Sequence, residues 1–287
     1  MVNIEQEIKL LEINFYNQIS QYFSPKLEHI KDKTFRSGNW IITFPFNFIQ
    51  TKAENELILI RKLSIINAIY VYFFFREDNV IDEYHLPSIE YKAFLMQMCE
   101  AHSFRNLAIG QLINLCGEEI FDFIFEYEKR YYDSLIFEKL VHNISIDDML
   151  KKENLIYLGN KVIPLCLTFA GYCLKEGITS KIKLGEELLI NYHIAHQLYD
   201  DIVDFEDDIK KPDLSYTIKI IKEYLKKDDI TVYEINNVLQ DTGLYIKIIK
   251  TAQHYLKVSK KYANELNFLY FRLKINDLEK KFKNLKY

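Results

Sequence analysis

The chain has 287 residues, a formal net charge of −4 and 49% hydrophobic residues, which is an ordinary composition for a globular protein. Lysine and arginine are spread along the chain, so nothing predicts a nucleic-acid surface. Only 8 Gly and 5 Pro are present, which argues against a turn-rich β architecture. The N-terminus does not resemble a signal peptide, and the longest mainly apolar run, Ser64 to Phe75, is too short to span a bilayer. We therefore expect a cytoplasmic protein without stable membrane insertion.

Apolar residues recur at helical spacing through most of the chain. The pattern predicts helices at approximately 3–22, 54–82, 88–98, 103–141, 147–175, 181–208, 214–227, 232–240 and 243–284. Segment 33–50 is predicted to be irregular, and the helix over 54–82 is apolar enough to be a buried central helix. No linker or repeat divides the chain. The sequence thus predicts an all-α fold, a single large helical bundle over residues 1–287 with a central cavity.

The strongest chemical feature is the acidic run HIAHQLYDDIVDFEDD, residues 193–208. On a helix, Asp200, Asp204 and Asp208 share one face because they are four residues apart. Gln197 continues this stripe upstream, and Asp201 flanks it. Such carboxylates repel one another unless a cation lies between them. Mg²⁺ suits them, since it takes one or two carboxylates and completes its octahedron with water and substrate phosphate.

A second acidic face ends the apolar helix, where Asp78 and Asp82 are four residues apart in DNVIDE. Arg76 precedes this face, and Asn79 lies within it. Two such helix faces, opposed across one cavity, would clamp a diphosphate through shared metal ions.

These motifs resemble those of class I isoprenoid synthases. QLYDDIVD (197–204) resembles the second aspartate-rich motif of that family, and DNVIDE resembles the first, with Asn79 replacing one aspartate. The resemblance implies three Mg²⁺ ions bound with a prenyl diphosphate, and ionisation to an allylic carbocation. The metal ligands expected from it are Asp78, Asp82, Asp200, Asp201, Asp204 and Asp208, of which Asp78, Asp82, Asp200 and Asp204 are expected to be catalytic.

Further residues are expected to bind the substrate. Lys161, followed by Pro164, resembles the lysine-bearing helix break that faces the diphosphate in the family. Aromatic faces stabilise a carbocation without supplying a strong nucleophile, although each single ring is more simply explained as core. The expected substrate-binding residues are Arg76, Asn79, Lys161, Gln197, Lys210, Lys211, Phe74, Phe75 and Tyr192.

The family resemblance leaves several reactions open. Elongating enzymes carry paired cations for isopentenyl diphosphate, and segments 35–45 and 83–92 lack such pairs. We therefore expect a terpene synthase that cyclises or quenches the carbocation. The alternatives are a trans-prenyltransferase, either elongating or head-to-head, and a non-catalytic protein of the same fold. A homodimer is a further option that the resemblance leaves open.

Overall fold

The structure is a computed structural model, and it describes residues 4–19, 40–49, 53–83, 91–141, 144–210 and 214–285. Every regular element in these ranges is helical, which confirms the all-α prediction. The helices are α1 (Ile4–Ile19), α2 (Trp40–Thr43), α3 (Glu54–Glu83), α4 (Tyr91–Cys116), α5 (Ile120–Leu140), α6 (Lys152–Asn160), α7 (Cys166–Lys175), α8 (Ile182–Val203), α9 (Phe205–Asp208), α10 (Tyr216–Leu225), α11 (Val232–Asp241), α12 (Leu244–Glu265) and α13 (Leu269–Asn284). Short 3₁₀ turns lie at Phe44–Phe48, Ile163–Leu165 and Thr179–Lys181.

The chain folds into two compact units. The first comprises Met1–Phe123 with Leu167–Thr179, and the second comprises Ile124–Cys166 with Ser180–Tyr287. The prediction of one domain over residues 1–287 stays a prediction.

In the first unit, α3 is the central helix and packs along α4. Between Leu63 and Phe74 its side chains are all buried, as its apolar sequence predicts. The 3₁₀ turn before it adds Phe48, whose ring lies 4.9 Å from Phe169 and 5.4 Å from Tyr172 of α7. Rings from the 3₁₀ turn and from α7 thus meet in one apolar core.

The length of α3 differs from the sequence expectation about membrane spans. The expectation that the apolar run Ser64 to Phe75 is too short to span a bilayer does not hold for the whole helix, which is long and apolar enough over Glu54–Asp78 to cross a membrane. However, 72% of its most apolar window is buried inside the protein, as in a core helix.

In the second unit, α8 is the central helix and packs against α12 and α6. The Ser259 hydroxyl of α12 donates to the Leu188 carbonyl of α8 over 3.0 Å. On the other side, Gly159 of α6 lies so close to Ile190 of α8 that a Cβ at Gly159 would be 2.5 Å from the Ile190 Cγ2 atom. The glycine therefore lets the two helices approach.

Several predicted helices are interrupted where a residue adopts positive φ. Gly117 (φ 95°) divides the stretch predicted at 103–141, and Asn267 (φ 58°) divides the one at 243–284. Gly177 (φ 67°) ends α7, and Ile178 N–H donates to the Cys173 carbonyl over 2.9 Å. Left-handed backbone favours Gly and Asn, but periodicity alone gives no signal for an interruption of one or two residues.

Candidate active site

The acidic run of the second unit is a broken helix. α8 ends at Val203, Asp204 caps it, and α9 covers Phe205–Asp208. The predicted continuous helix to 208 is thus wrong at Asp204. Helical hydrogen bonds nevertheless bridge the break, because Asp204 N–H donates to the Asp200 carbonyl and Asp208 N–H to the Asp204 carbonyl, each over 2.9 Å. The three aspartates therefore still follow one another at intervals of one turn.

The carboxylates of this stripe are accessible to a ligand. Asp200 and Asp208 are partly buried and Asp204 is exposed. The Asp200 carboxylate lies 2.7 Å from Nδ1 of His196, one turn earlier on α8. Among the described residues, no three His, Cys, Asp or Glu side chains form a ready-made metal site. One or two accessible carboxylates nevertheless fit Mg²⁺, which fills its other positions with phosphate and water.

Asp201 has a different environment from the rest of the stripe. It is 1% exposed, and burial raises the pKa of its carboxyl to about 6, against the hydrogen bonds that favour ionisation. The Gln197 amide donates to one of its oxygens over 3.0 Å. The backbone N–H and hydroxyl of Thr217 donate to the other over 2.9 and 2.8 Å. Asp201 therefore joins α8 to the first turn of α10, so we omit it from the proposed metal ligands and treat Gln197 as its partner.

Lys161 lies beside α8 in the same unit. It caps the C-terminus of α6, and its ammonium is 2.9 Å from both carboxylate oxygens of Glu138 on α5. The Lys161 side chain is 25% exposed. Burial, the Lys161 cation and His196 together lower the pKa of His193 to about 3. His193 lies on α8 seven residues, or about two turns, before Asp200.

The first acidic motif lies at the C-terminal end of α3. Arg76 donates to Glu100 of α4 over 3.0 Å, and Asp78 is partly buried. Asn79 and Asp82 lie on α3, but their side chains are outside what the structure describes. The opposition of this face to the Asp200 stripe stays a prediction.

The three candidate pocket rings differ in burial. Phe74 is 7% exposed and lies 4.9 Å from Tyr70, whereas Phe75 is 41% exposed. Tyr192 is buried, and its ring meets Phe271 of α13 edge-to-face at 4.9 Å. These contacts place Phe74 and Tyr192 in the core of their own units.

A basic surface cavity lies near Lys161. Its volume is about 350 Å³, and Glu138, the partner of Lys161, is part of its wall. Its basic lining consists of Lys139, Lys219, Lys222, Lys226 and Lys227.

Two further lysines are predicted to bind the substrate. Lys210 binds the surface residue Asp207 over 3.0 Å, and Lys211 lies outside the described residues.

Sequence reasoning missed three partners of the site. His196 is one turn from Asp200, so its spacing offered a signal. Glu138 and Thr217 are 23 and 16 residues from the side chains they contact, and no local pattern marks them.

Two solved structures share this fold along nearly the whole chain. Octaprenyl pyrophosphate synthase from Helicobacter pylori is 16% identical, with a TM-score of 0.71, and the match covers 96% of this chain and 98% of that one. Geranylgeranyl pyrophosphate synthetase from the archaeon Geoglobus acetivorans is 12% identical, with a TM-score of 0.68, covering 98% and 99%. No protein family model and no curated protein sequence matches the chain. The chain has the helical fold of prenyl pyrophosphate synthases.

Proposed function

We propose that the protein is a Mg²⁺-dependent prenyltransferase that joins an allylic prenyl diphosphate to a second prenyl substrate. Both solved structures of the same fold are named as prenyl pyrophosphate synthases. This supports chain transfer better than the cyclisation expected from the sequence. At these identities the fold is shared, and the activity is our proposal.

One observation carries the proposal. Lys161, which is 25% exposed, caps the C-terminus of α6, and α6 packs against α8, the helix that carries Asp200 and ends at Asp204. A cation at the end of α6 and carboxylates on α8, two helices that pack together, suit a diphosphate bound with divalent ions. A lysine alone or aspartates alone would not indicate a diphosphate site, since both residue types commonly end a surface helix.

The reaction needs a leaving group that departs with its electrons. The allylic C–O bond breaks, the electron pair leaves with diphosphate, and the carbocation is attacked by the double bond of isopentenyl diphosphate. A new C–C bond forms, and loss of a proton restores the alkene. The Lys161 ammonium would donate to the departing oxygens, where negative charge grows. Mg²⁺, held by Asp200, Asp204 and Asp208 on this side, would supply further neutralisation of that charge.

Cyclisation is the second candidate, because of one sequence observation. Segments 35–45 and 83–92 lack the cation pairs expected for isopentenyl diphosphate. Without a second substrate, the carbocation would close on its own chain or be captured by water.

The deciding experiment supplies the purified protein with geranyl, farnesyl or geranylgeranyl diphosphate and Mg²⁺, with and without isopentenyl diphosphate. The transferase proposal predicts longer prenyl diphosphates in the presence of isopentenyl diphosphate. Diphosphate release with cyclic or alcohol products in its absence would instead establish the cyclase. If no combination turned over, and Mg²⁺ promoted no diphosphate binding, the non-catalytic alternative would stand.

A further inference from the structure

A polar network in the second unit fixes the end of the helix that carries Lys161. The guanidinium of Arg130, on α5, donates from one nitrogen to the Asn160 side-chain oxygen over 3.0 Å. Its other terminal nitrogen donates to Glu186 of α8 over 2.9 Å. Because Asn160 is the last residue of α6, this one side chain joins three helices immediately before Lys161.

Glu186 makes the network rigid. It is 5% exposed, and its second oxygen accepts from the fully buried Tyr127 hydroxyl over 3.0 Å. Burial raises the pKa of Glu186, but hydrogen bonds from Arg130 and Lys183 outweigh it and hold the pKa below its ordinary value. An ionised, buried carboxylate fixes the direction of the guanidinium that binds it. Arg130 thereby presents a fixed donor to Asn160.

Three consecutive residues at the end of α6 are each held separately. Gly159 packs directly on Ile190, Asn160 accepts from Arg130, and Lys161 binds Glu138. Arg130 and Glu138 are eight residues apart on α5, which puts them on one face about 12 Å apart along the helix. The helix end is therefore held at two points by α5 and at one by α8.

We propose that Asn160 and Arg130 are positioning residues, which hold the Lys161 ammonium where a diphosphate binds. The consequence for the diphosphate rests on the proposed function, but the effect on Lys161 itself does not. Arg130 acts through Asn160, and Asn160 acts through the backbone it shares with Lys161. Neither side chain is required to touch substrate.

The first test measures the accessibility of the Lys161 amine without any substrate. Trace acetylation with acetic anhydride, followed by peptide mass spectrometry, compares Lys161 with exposed Lys280 in the same sample. Asn160→Ala should raise the relative labelling of Lys161 about three- to tenfold, the equivalent of one lost hydrogen bond. Asn160→Asp keeps an acceptor for Arg130 and should restore protection. Unchanged labelling in Asn160→Ala would overturn the proposal.

The matched control is Asn191→Ala. Asn191 is as buried as Asn160, at 6% against 7%, but its amide bonds within its own helix, to Glu187. The Asn191→Ala variant should lose about as much stability as Asn160→Ala and leave the labelling of Lys161 unchanged. If it raised that labelling as much as Asn160→Ala does, general loosening would be the cause and the positioning role would be rejected.

The second test measures binding of inorganic pyrophosphate with Mg²⁺ by calorimetry. Asn160→Ala should weaken binding about three- to tenfold and Lys161→Ala about tenfold or more, and the double variant should bind no worse than Lys161→Ala alone. Additive losses would contradict the positioning role, since independent sites add. If the wild-type protein bound no pyrophosphate, the proposed function would fail, while the labelling result would still decide the role of Asn160.

Discussion

Replacing Gly159 with alanine tests the close approach of α6 to α8. The new Cβ would lie 2.5 Å from Ile190 Cγ2, 3.1 Å from the Ile190 carbonyl oxygen and 3.1 Å from Ile194 Cγ1. Ile190 is 2% exposed and β-branched, so it has little room to turn away. Overpacking of a core typically costs about 1–3 kcal/mol, whereas glycine to alanine in a helix gains at most about 1 kcal/mol. We expect a net loss of stability of about 1 kcal/mol.

Gly110→Ala provides the comparison. Gly110 lies inside α4, and nothing comes within 4 Å of an added Cβ. This variant should gain about 0.5–1 kcal/mol from helix propensity alone. The difference between the two variants in urea unfolding then isolates the overpacking cost, about 1–3 kcal/mol. Equal stability of the two proteins would refute the steric argument.

A third variant locates the strain. In an Ile190→Ala background the offending Cγ2 atom is gone, so Gly159→Ala should cost at least about 1 kcal/mol less than it does in the wild-type background. Full additivity of the two substitutions would mean that the strain arises elsewhere.

Three further substitutions test separate contacts. In steady-state assays, Lys161→Ala should raise KM for the allylic diphosphate about tenfold or more, as a lost charged donor does. The control is Lys260→Ala, which removes a comparable interhelical Lys–Glu pair at 2.7 Å and should leave KM unchanged. Thr217→Val removes a hydroxyl donor from buried Asp201 and should cost about 1–3 kcal/mol in urea unfolding. The pKa of Glu186 is lowered in the folded state, so the ionised carboxylate stabilises the fold above its unfolded pKa near 4.5, and this stabilisation is lost as pH falls below that value. Glu186→Gln should therefore flatten the decline of stability in acid, measured by denaturation between pH 3 and 7. An unchanged dependence of stability on pH would contradict the ionised state assigned to Glu186.

Those features of the candidate site that depend on residues close together in the chain can be predicted from the sequence. The spacing of Asp200, Asp204 and Asp208 predicts that they succeed one another turn by turn, and the backbone hydrogen bonds agree. Pro164 likewise predicts a helix break after Lys161, and a 3₁₀ turn at Ile163–Leu165 lies there. Both signals act within a few residues, where chain geometry leaves few choices.

The remaining features depend on contacts between distant residues. Asp201 and Asp200 are adjacent carboxylates, and what separates their roles is Thr217, 16 residues later. Arg130 and Glu186 are 56 residues apart, and each alone resembles an ordinary surface charge in the sequence. Hydrophobic periodicity tells which face of a helix is buried, but not which polar side chain from another helix meets it. Such pairings require the folded chain.

The sequence-based expectation of cyclisation also depended on what local segments alone can show. It rested on missing cation pairs in two segments, 35–45 and 83–92, and an absent motif does not say whether other residues hold the second substrate. The similarity of the fold to two prenyl pyrophosphate synthases weighs in the other direction. A test of turnover with isopentenyl diphosphate decides between them.

The most direct test of the central claim is the Mg²⁺ dependence of diphosphate release by Asp200→Ala and Asp204→Ala. Asp207→Ala is the matched control, since Asp207 belongs to the same acidic run but is 80% exposed and paired with Lys210. We predict that the first two variants lose Mg²⁺-dependent release while circular dichroism shows unchanged helix content, and that the control keeps wild-type turnover. Activity surviving in both Asp200→Ala and Asp204→Ala would contradict the assignment of this stripe as the metal-binding side of the site.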